Sequence, residues 1–212
     1  MNIICEKEGV ACFDVLTGFK YIGELAGEWE RTGEHSFILG FEESYGYLAG
    51  DFVRDKDAVI AAALISEMTL YYKKEKNMSL YEALQNLFGR YGFSREELVN
   101  VGMTGKDGME KMDRIMDELR KRYKDIFASQ RLKIVEDFKT SVRTFAGTGE
   151  TEKIDLPSSN VLKFTFDDGA WLVLRPSGTE PKIKLYLFAV RDSAAAAQNR
   201  VDELKALVKN IF

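Results

Sequence analysis

The sequence predicts an α/β domain followed by a small α+β domain, and three patterns support this prediction. Apolar residues recur every three to four positions in successive stretches between residues 57 and 124, which is typical of amphipathic helices. Apolar and polar residues alternate on both sides of a turn sequence between residues 161 and 188, which is typical of antiparallel strands. Residues 123–132, between these regions, are polar and charged, as in a connection between domains. We therefore expect the two domains to comprise residues 1–128 and 129–212.

The first domain is expected to begin with short elements. Residues 10–16 alternate weakly and indicate a strand, and a helix is expected to begin at Phe19, after the break at Gly18. Residues 35–41 form a short apolar run bounded by turn residues, which predicts a buried strand.

Three longer helices are predicted to follow. Asp57 is placed to cap the first of them, and Ser79 with Glu82 has the spacing of a capping box that begins the second, which should end near Gly92. The third helix is expected from about residue 107 to residue 124. Its apolar positions form one stripe that should face the core: Met109, Met112, Met116 and Leu119.

The second domain is expected to be mostly strands. Residues 134–138 and 161–166 indicate strands, and residues 144–160 between them indicate a long loop. Residues 167–169 form a hairpin signal before a returning strand at 171–174, and a further strand covers residues 183–188. Ser193 is placed to cap a final helix. The predicted buried side chains of that helix are Val201, Leu204, Val208 and Ile211.

Composition excludes several classes of function. The formal net charge is −4, and nucleic-acid binding usually requires a basic excess, so we expect no nucleic-acid partner. The two cysteines, Cys5 and Cys12, do not form a CxxC pair and cannot build a zinc site with the single histidine, His35. No apolar run approaches the roughly 20 residues of a membrane helix, and no signal pattern is present. We therefore expect a cytoplasmic protein without a membrane partner.

Residues 175–184, which read RPSGTEPKIK, contain the groups that a phosphate requires. Arg175 offers a two-pronged guanidinium and Lys184 a second cation, while Ser177 and Thr179 supply hydroxyls. Gly178 permits a positive φ, which would turn successive backbone N–H groups towards an anion. Serine, glycine and proline are also the ordinary residues of turns, so a polar turn accounts for the same segment equally well on its chemistry alone.

Two segments of the first domain contain candidate ligand-binding groups. In GFEESYG, at residues 40–46, Glu42 can accept hydrogen bonds from two neighbouring sugar hydroxyls, and Ser44 can meet a third. In RDKD, at residues 54–57, Arg54 and Lys56 can line a site for an anionic substrate. The alternatives are a solvated acidic loop and a helix start with its own ion pairs, which contribute about 1 kcal/mol or less when exposed.

Four segments, in this order and spacing, resemble the α-D-phosphohexomutase family, which includes phosphoglucomutases and phosphomannomutases. They are TGFK at residues 17–20, GFEESYG at 40–46, RDKD at 54–57 and RPSGTEPKIKLY at 175–186. The resemblance covers nearly the whole chain. Family members have four domains, and this chain resembles most of the third and all of the fourth. The resemblance therefore implies an α/β domain that lacks an early strand, followed by a small α+β domain similar to the TATA-binding-protein fold.

The resemblance also implies a reaction and roles for single residues. Family members move a phosphate between C1 and C6 of a hexose through a phosphoserine, with Mg²⁺ and a hexose 1,6-bisphosphate intermediate. Glu42 and Ser44 are expected to bind the sugar hydroxyls, with Lys20, Arg54 and Lys56 as cations around the sugar. The residues expected to bind the phosphate are Arg175, Ser177, Gly178, Thr179 and Lys184.

Parts of the family's catalytic machinery have no counterpart in this sequence. The phosphoserine of the family lies in a Ser-His pair, whereas the only histidine here stands in the reverse order, His35-Ser36. The metal loop of the family has three alternating aspartates, and only Asp55 and Asp57 alternate here. We therefore assign no catalytic residue and no metal ligand, and expect an inactive fragment that binds neither Mg²⁺ nor the bisphosphate by itself. Its expected partners are a hexose phosphate and the N-terminal domains of the same protein.

Three alternatives for the substrate and function stay open. Phe19 stands where some bacterial members have histidine, which favours a phosphoglucomutase over a phosphomannomutase. A phosphopentomutase of the same family is a second possibility, because Glu42 and Ser44 indicate only a sugar. A non-catalytic module that binds sugar phosphates is the third.

Overall fold

A computed structural model describes residues 1–43, 45–103, 107–178, 180–209 and 211. It divides into two compact units, Met1–Tyr91 and Gly92–Phe212. The expected boundary between residues 128 and 129 is therefore corrected to one between Tyr91 and Gly92. The polar stretch at 123–132 is not a linker, because it joins the end of a helix to a strand inside the second unit.

The described part of the first unit contains four helices and one β-hairpin. The helix predicted to begin at Phe19 is confirmed, whereas the strand predicted at residues 10–16 does not form. The predicted buried strand at 35–41 is reduced to three residues at its end, and Leu39 and Phe41 are exposed because the strand pairs only within its hairpin. The elements are α1 (Asn2–Glu8), α2 (Phe19–Thr32), β1 (Leu39–Phe41), β2 (Tyr47–Ala49), α3 (Ala58–Glu75) and α4 (Leu80–Tyr91).

Helix α3 begins where its capping residue predicts. The Asp57 carboxylate accepts hydrogen bonds from the backbone N–H groups of Val59 (2.8 Å) and Ile60 (3.2 Å), which satisfies two of the free donors of the first turn. Within the described chain, no side chain of α3 is buried. The cap is therefore the clearest local feature that fixes the start of this helix.

The capping box of α4 is confirmed by three hydrogen bonds. The Ser79 backbone N–H donates to Oε2 of Glu82 (2.7 Å), the Ser79 hydroxyl donates to the same oxygen (2.8 Å), and the Glu82 N–H donates to the Ser79 hydroxyl (3.2 Å). The backbone hydrogen bond first, and the hydroxyl second, lower the pKa of Glu82 from its ordinary value of 4.5.

This lowered pKa predicts a pH dependence of stability. Because the pKa of Glu82 is lower in the folded state, its contribution is complete above the unfolded value of 4.5 and is lost as the pH falls through the folded value. We expect the urea midpoint of the first unit to fall over this acid range, and Glu82→Gln to weaken that fall, because an amide does not titrate. The control Glu67→Gln removes an exposed acid of α3 and should change nothing. An unaltered pH profile in Glu82→Gln would contradict the prediction.

The elements of the second unit are β3 (Phe93–Gly102), α5 (Gly108–Ile126), β4 (Leu132–Asp137), β5 (Val142–Phe145), β6 (Thr151–Lys153), β7 (Leu162–Phe166), β8 (Trp171–Pro176), β9 (Lys182–Arg191) and α6 (Ala194–Lys209). The described strands form one antiparallel sheet in the order β3-β9-β8-β7-β4-β5-β6. Strand β3 was not expected from the sequence, and it extends the sheet at one edge.

The core of the second unit lies between one face of this sheet and the helices α5 and α6. The strands contribute alternate residues, as the pattern of β7 predicts, and the predicted stripe of α5 is confirmed except for Met109, which is exposed. The remaining side chains of each strand lie on the other face of the sheet. The core residues include Leu162, Phe164, Phe166, Leu172, Leu174, Ile183, Leu185 and Leu187 from strands, and Met112, Met116, Leu119, Val201, Leu204 and Val208 from helices.

Within the described residues, no helix combines the length and the apolar character that a membrane span requires.

Candidate functional site

Arg175 and Lys184 are direct neighbours across two strands. They are paired in the register of β8 and β9, and only residues 177–181 connect the two strands. Lys184 lies in the strand expected at 183–188, and β8 extends beyond the expected 171–174 to include Arg175. The Ser177 N–H donates to the carbonyl oxygen of Lys182 (2.9 Å) and closes this loop. The two cations are therefore held by regular backbone at the base of the loop instead of lying within it.

Both cations lie on the sheet face opposite the helices. Side chains alternate along a strand, and the preceding Leu174 and the following Leu185 are buried in the core, so Arg175 and Lys184 face away from it. Both are half-buried. Neither the Arg175 guanidinium nor the Lys184 ammonium forms a hydrogen bond or an ion pair with any described residue. Like charges directly opposite one another are destabilising, so an anion bound here would relieve their repulsion.

The acid in this hairpin is directed towards a different lysine. Glu180 forms a hydrogen-bonded ion pair with Lys182. The hydrogen bond from Lys182 first, and the charges of Lys182 and Lys184 in addition, lower the pKa of Glu180. Glu180 also donates its backbone N–H to the Ser177 hydroxyl oxygen (3.3 Å). The negative charge near the proposed phosphate is thus neutralised locally, and Arg175 is left available.

The reason given for Gly178 is wrong, because it is not among the glycines with a positive φ. A Cβ atom at Gly178 would meet no described atom within 4 Å, so a side chain at this position would project into open space. Thr179, the second expected hydroxyl of the loop, lies outside the described residues.

A third polar residue lies beside the two cations, and sequence reasoning missed it. Asn100 on β3 is paired in register with Lys184 on β9, so Asn100, Lys184 and Arg175 form one row across three strands on the same face. The available signal was the short run of β-formers from Leu98 to Val101 before Gly102.

The hairpin β1–β2 holds Glu42 in the first unit. Its backbone N–H donates to the carbonyl oxygen of Gly46 (2.9 Å), directly after the paired residues Phe41 and Tyr47. A Cβ atom at Gly46 would lie 2.7 Å from Oε1 of Glu42 and 2.8 Å from its Cγ. Only glycine therefore allows the Glu42 side chain to lie against the backbone at this turn. Ser44, the predicted companion of Glu42, lies outside the described residues.

The first turn of α2 and the segment at 54–57 lie side by side. The ammonium of Lys56 is 5.6 Å from the centroid of the Phe19 ring and 3.1 Å from Oδ1 of Asp55. Lys20, the residue after Phe19, is exposed, and its ammonium lies 4.8 Å from the Tyr21 ring centroid. The structure therefore places Lys56 beside Phe19, the residue that precedes Lys20, and the cationic lining stays a prediction.

Arg54, in contrast, is engaged by the protein itself. Its guanidinium donates to the carbonyl oxygens of Asp51 and Val53 and forms an ion pair with Glu30 on α2.

Among the described residues, no group of three or more histidine, cysteine, aspartate or glutamate side chains is placed to hold a metal ion. Asp57, one of the two alternating aspartates, is used as the cap of α3.

Comparison with known families divides the chain as the structure does. Residues 1–91 match "Phosphoglucomutase/phosphomannomutase, alpha/beta/alpha domain III", and residues 98–206 match "Phosphoglucomutase/phosphomannomutase, C-terminal domain". The fold class expected from the sequence is thereby confirmed.

Curated relatives are similar over most of this chain. A phosphoglucomutase of Staphylococcus haemolyticus (strain JCSC1435) is 38% identical over 184 residues, which are 87% of this chain and 33% of that protein. A phosphoglucomutase of Staphylococcus aureus (strain MRSA252) is 39% identical over 179 residues, which are 82% of this chain and 31% of that protein. The chain thus spans about a third of the length of these relatives.

A solved structure has a similar fold. The open form of the Paramecium phosphoglucomutase pp63/parafusin superposes with a TM-score of 0.63 at 18% identity, over 99% of this chain and 35% of that one.

Proposed function

The chain belongs to the phosphoglucomutase/phosphomannomutase family, and on this premise we propose that it is the substrate-binding part of a phosphohexomutase. The complete enzyme would interconvert hexose 1-phosphate and hexose 6-phosphate through a bisphosphate, with glucose as the favoured sugar. The observation that carries the proposal is the row of Arg175 and Lys184, two half-buried cations whose charged groups form no hydrogen bond or ion pair with a described residue.

We assign the phosphate that is not reacting to the second unit. A hydrogen bond to a charged group contributes about 1.5–3 kcal/mol, and Arg175 offers two parallel donors to phosphate oxygens. Lys184 adds a point charge, and we assign Ser177, Gly178 and Thr179 to the same phosphate. Because both cations stand on strands, their separation is set before the ligand arrives, which reduces the entropy lost on binding.

We assign the sugar to the first unit, through Glu42 and Ser44. A carboxylate accepts hydrogen bonds from two neighbouring hydroxyls, and such a pair occurs on a hexose in either of the two orientations that the reaction requires. Lys20 and Lys56 would supply positive charge near the sugar.

Mg²⁺ and hexose 1,6-bisphosphate belong to the complete enzyme in this proposal. The described acids of this chain are not grouped to hold a metal ion. The N-terminal domains of the same protein would supply the phosphoserine and the metal loop, and the enzyme would act in the cytoplasm.

Ligand titration of the 212-residue chain tests the proposal. We expect calorimetry to detect binding of glucose 1-phosphate and glucose 6-phosphate, weaker binding of mannose 1-phosphate, and none of glucose without phosphate. Tighter binding of ribose 1-phosphate would favour the phosphopentomutase alternative, and no binding of any sugar phosphate would refute the proposal.

A mutase assay on the same preparation should show no turnover, because the chain contains no Ser-His pair that could carry the phosphoserine. Turnover of glucose 1-phosphate by the pure chain would contradict this division of labour.

A further inference from the structure

Helix α2 has a groove that Arg54 occupies. Gly23 and Gly27 stand one turn apart on this helix and face Arg54. A Cβ atom at Gly23 would overlap the Arg54 carbonyl oxygen and lie 3.4 Å from its Cβ, and a Cβ at Gly27 would lie 3.4 Å from Nε. The two absent side chains therefore allow the backbone and the side chain of Arg54 to lie directly against the helix.

The guanidinium is fixed at its other end as well. It donates to the carbonyl oxygens of Asp51 and Val53 and to the Glu30 carboxylate, which stands on α2 two turns after Gly23. The planar guanidinium can serve several acceptors at once, whereas a lysine ammonium at this position would be a single point charge. Arg54 thus connects the segment at 51–57 to α2 through both its backbone and its side chain.

The residues immediately after Arg54 are held by this connection. The Asp57 N–H donates to the carbonyl oxygen of Tyr47 (2.7 Å) on β2, and the Lys56 ammonium lies 5.6 Å from the Phe19 ring centroid. We propose that Arg54 is a positioning residue that places Lys56 beside the start of α2, and that it does not bind the substrate itself. This inference rests on the proposed function only where Lys56 is given a role in ligand binding.

Removing the charge of Glu30 distinguishes a positioning role of Arg54 from direct ligand binding, because the two roles predict opposite changes in affinity. An acid near an anionic ligand repels it, so Glu30→Gln should leave sugar-phosphate binding unchanged or strengthen it if Arg54 binds the ligand directly. If Arg54 acts by positioning, Glu30→Gln releases its guanidinium and should weaken binding, although a negative charge has been removed. Glu28→Gln removes another exposed acid of the same helix and is the matched control.

The first test titrates the full chain with glucose 1-phosphate. We expect Arg54→Met and Glu30→Gln each to raise the Kd by roughly fivefold, about 1 kcal/mol, and the double variant to be no weaker than Arg54→Met alone, because both changes break one connection. Glu28→Gln should keep the wild-type Kd. An unchanged or lower Kd in Glu30→Gln, with binding intact in the wild type, overturns the inference.

The second test does not depend on any ligand. In NMR spectra of the wild type, the Lys56 ε-methylene should show a nuclear Overhauser effect to the Phe19 ring. That signal should be lost in Arg54→Met and in Glu30→Gln and retained in Glu28→Gln. Its retention in Arg54→Met overturns the inference. If the wild type binds no sugar phosphate, the proposed function fails for this chain and the NMR result alone decides on Arg54.

Discussion

Replacing Arg175 with alanine is expected to raise the Kd for glucose 1-phosphate by roughly 10- to 150-fold. Loss of a hydrogen bond to a charged group costs about 1.5–3 kcal/mol, which corresponds to that range. The cause is local, because Arg175 stands in register with Lys184 and has no counter-charge among the described residues. Isothermal calorimetry on the wild type and the variant measures the change.

Two variants give this prediction its controls. Arg131→Ala removes another cation of the same unit. The Arg131 side chain is 87% exposed and pairs with Asp167, near the end of β8 opposite to Arg175. This variant should leave the Kd unchanged. Arg175→Lys keeps the charge but loses the two-pronged geometry, and should fall between the wild type and Arg175→Ala. If Arg175→Ala and the wild type bind glucose 1-phosphate with equal affinity, Arg175 does not bind the phosphate and the assignment is wrong.

Replacing Phe164 with alanine is expected to lower the free energy of unfolding of the second unit by about 3–5 kcal/mol. Phe164 on β7 is fully buried, and its ring centroid lies 4.8 Å from that of Phe127 and 6.0 Å from that of Tyr123. The truncation removes apolar contact and leaves a cavity between the sheet and α5. Urea denaturation followed by circular dichroism measures the loss.

Leu98→Ala is the matched control for this truncation. Leu98 lies in the same sheet, on β3, and is 48% exposed, so the same kind of change should cost about 1 kcal/mol or less. A cost for Phe164→Ala no larger than that of the control would mean that the sheet does not bury this ring in solution.

Local sequence patterns were sufficient where a residue acts on its immediate neighbours. Asp57 predicts the start of α3 and Ser79 that of α4, because a cap bonds N–H groups two or three positions further on. The alternation in β7 predicts which face is buried, since the strand period of two is visible in its five residues.

Pairings between distant residues were not visible in the same way. Strand β3 owes its structure to β9, which follows some 90 residues later, and its first half is rich in charged residues that gave no strand signal. Missing β3 moved the domain boundary to residue 128 and left Asn100 unnoticed beside Lys184. The run at 35–41 shows the opposite error, because an apolar pattern predicts burial only where the fold provides a partner.

The same contrast between local residue types and distant pairings applies to the candidate site. Residue types suggest phosphate binding at Arg175 and Lys184, since cations, hydroxyls and a glycine suit an anion in any context, and this assignment stays a prediction. They did not predict that the two cations are paired in register across β8 and β9. They also did not separate Arg54 from Lys56, because the partner that engages Arg54, Glu30, lies 24 positions earlier in the chain.

The pairing of β3 with β9 decides where a gene encoding the second unit alone should begin. A fragment starting at residue 129 would leave the ten-residue edge of β9 uncovered and would remove α5 from the core of the unit. Uncovered strand edges next to apolar surface pair with other chains, so such a protein is prone to aggregate during expression. A fragment starting at Gly92 keeps the edge covered, and this is the form of the unit that is suited to production and crystallisation.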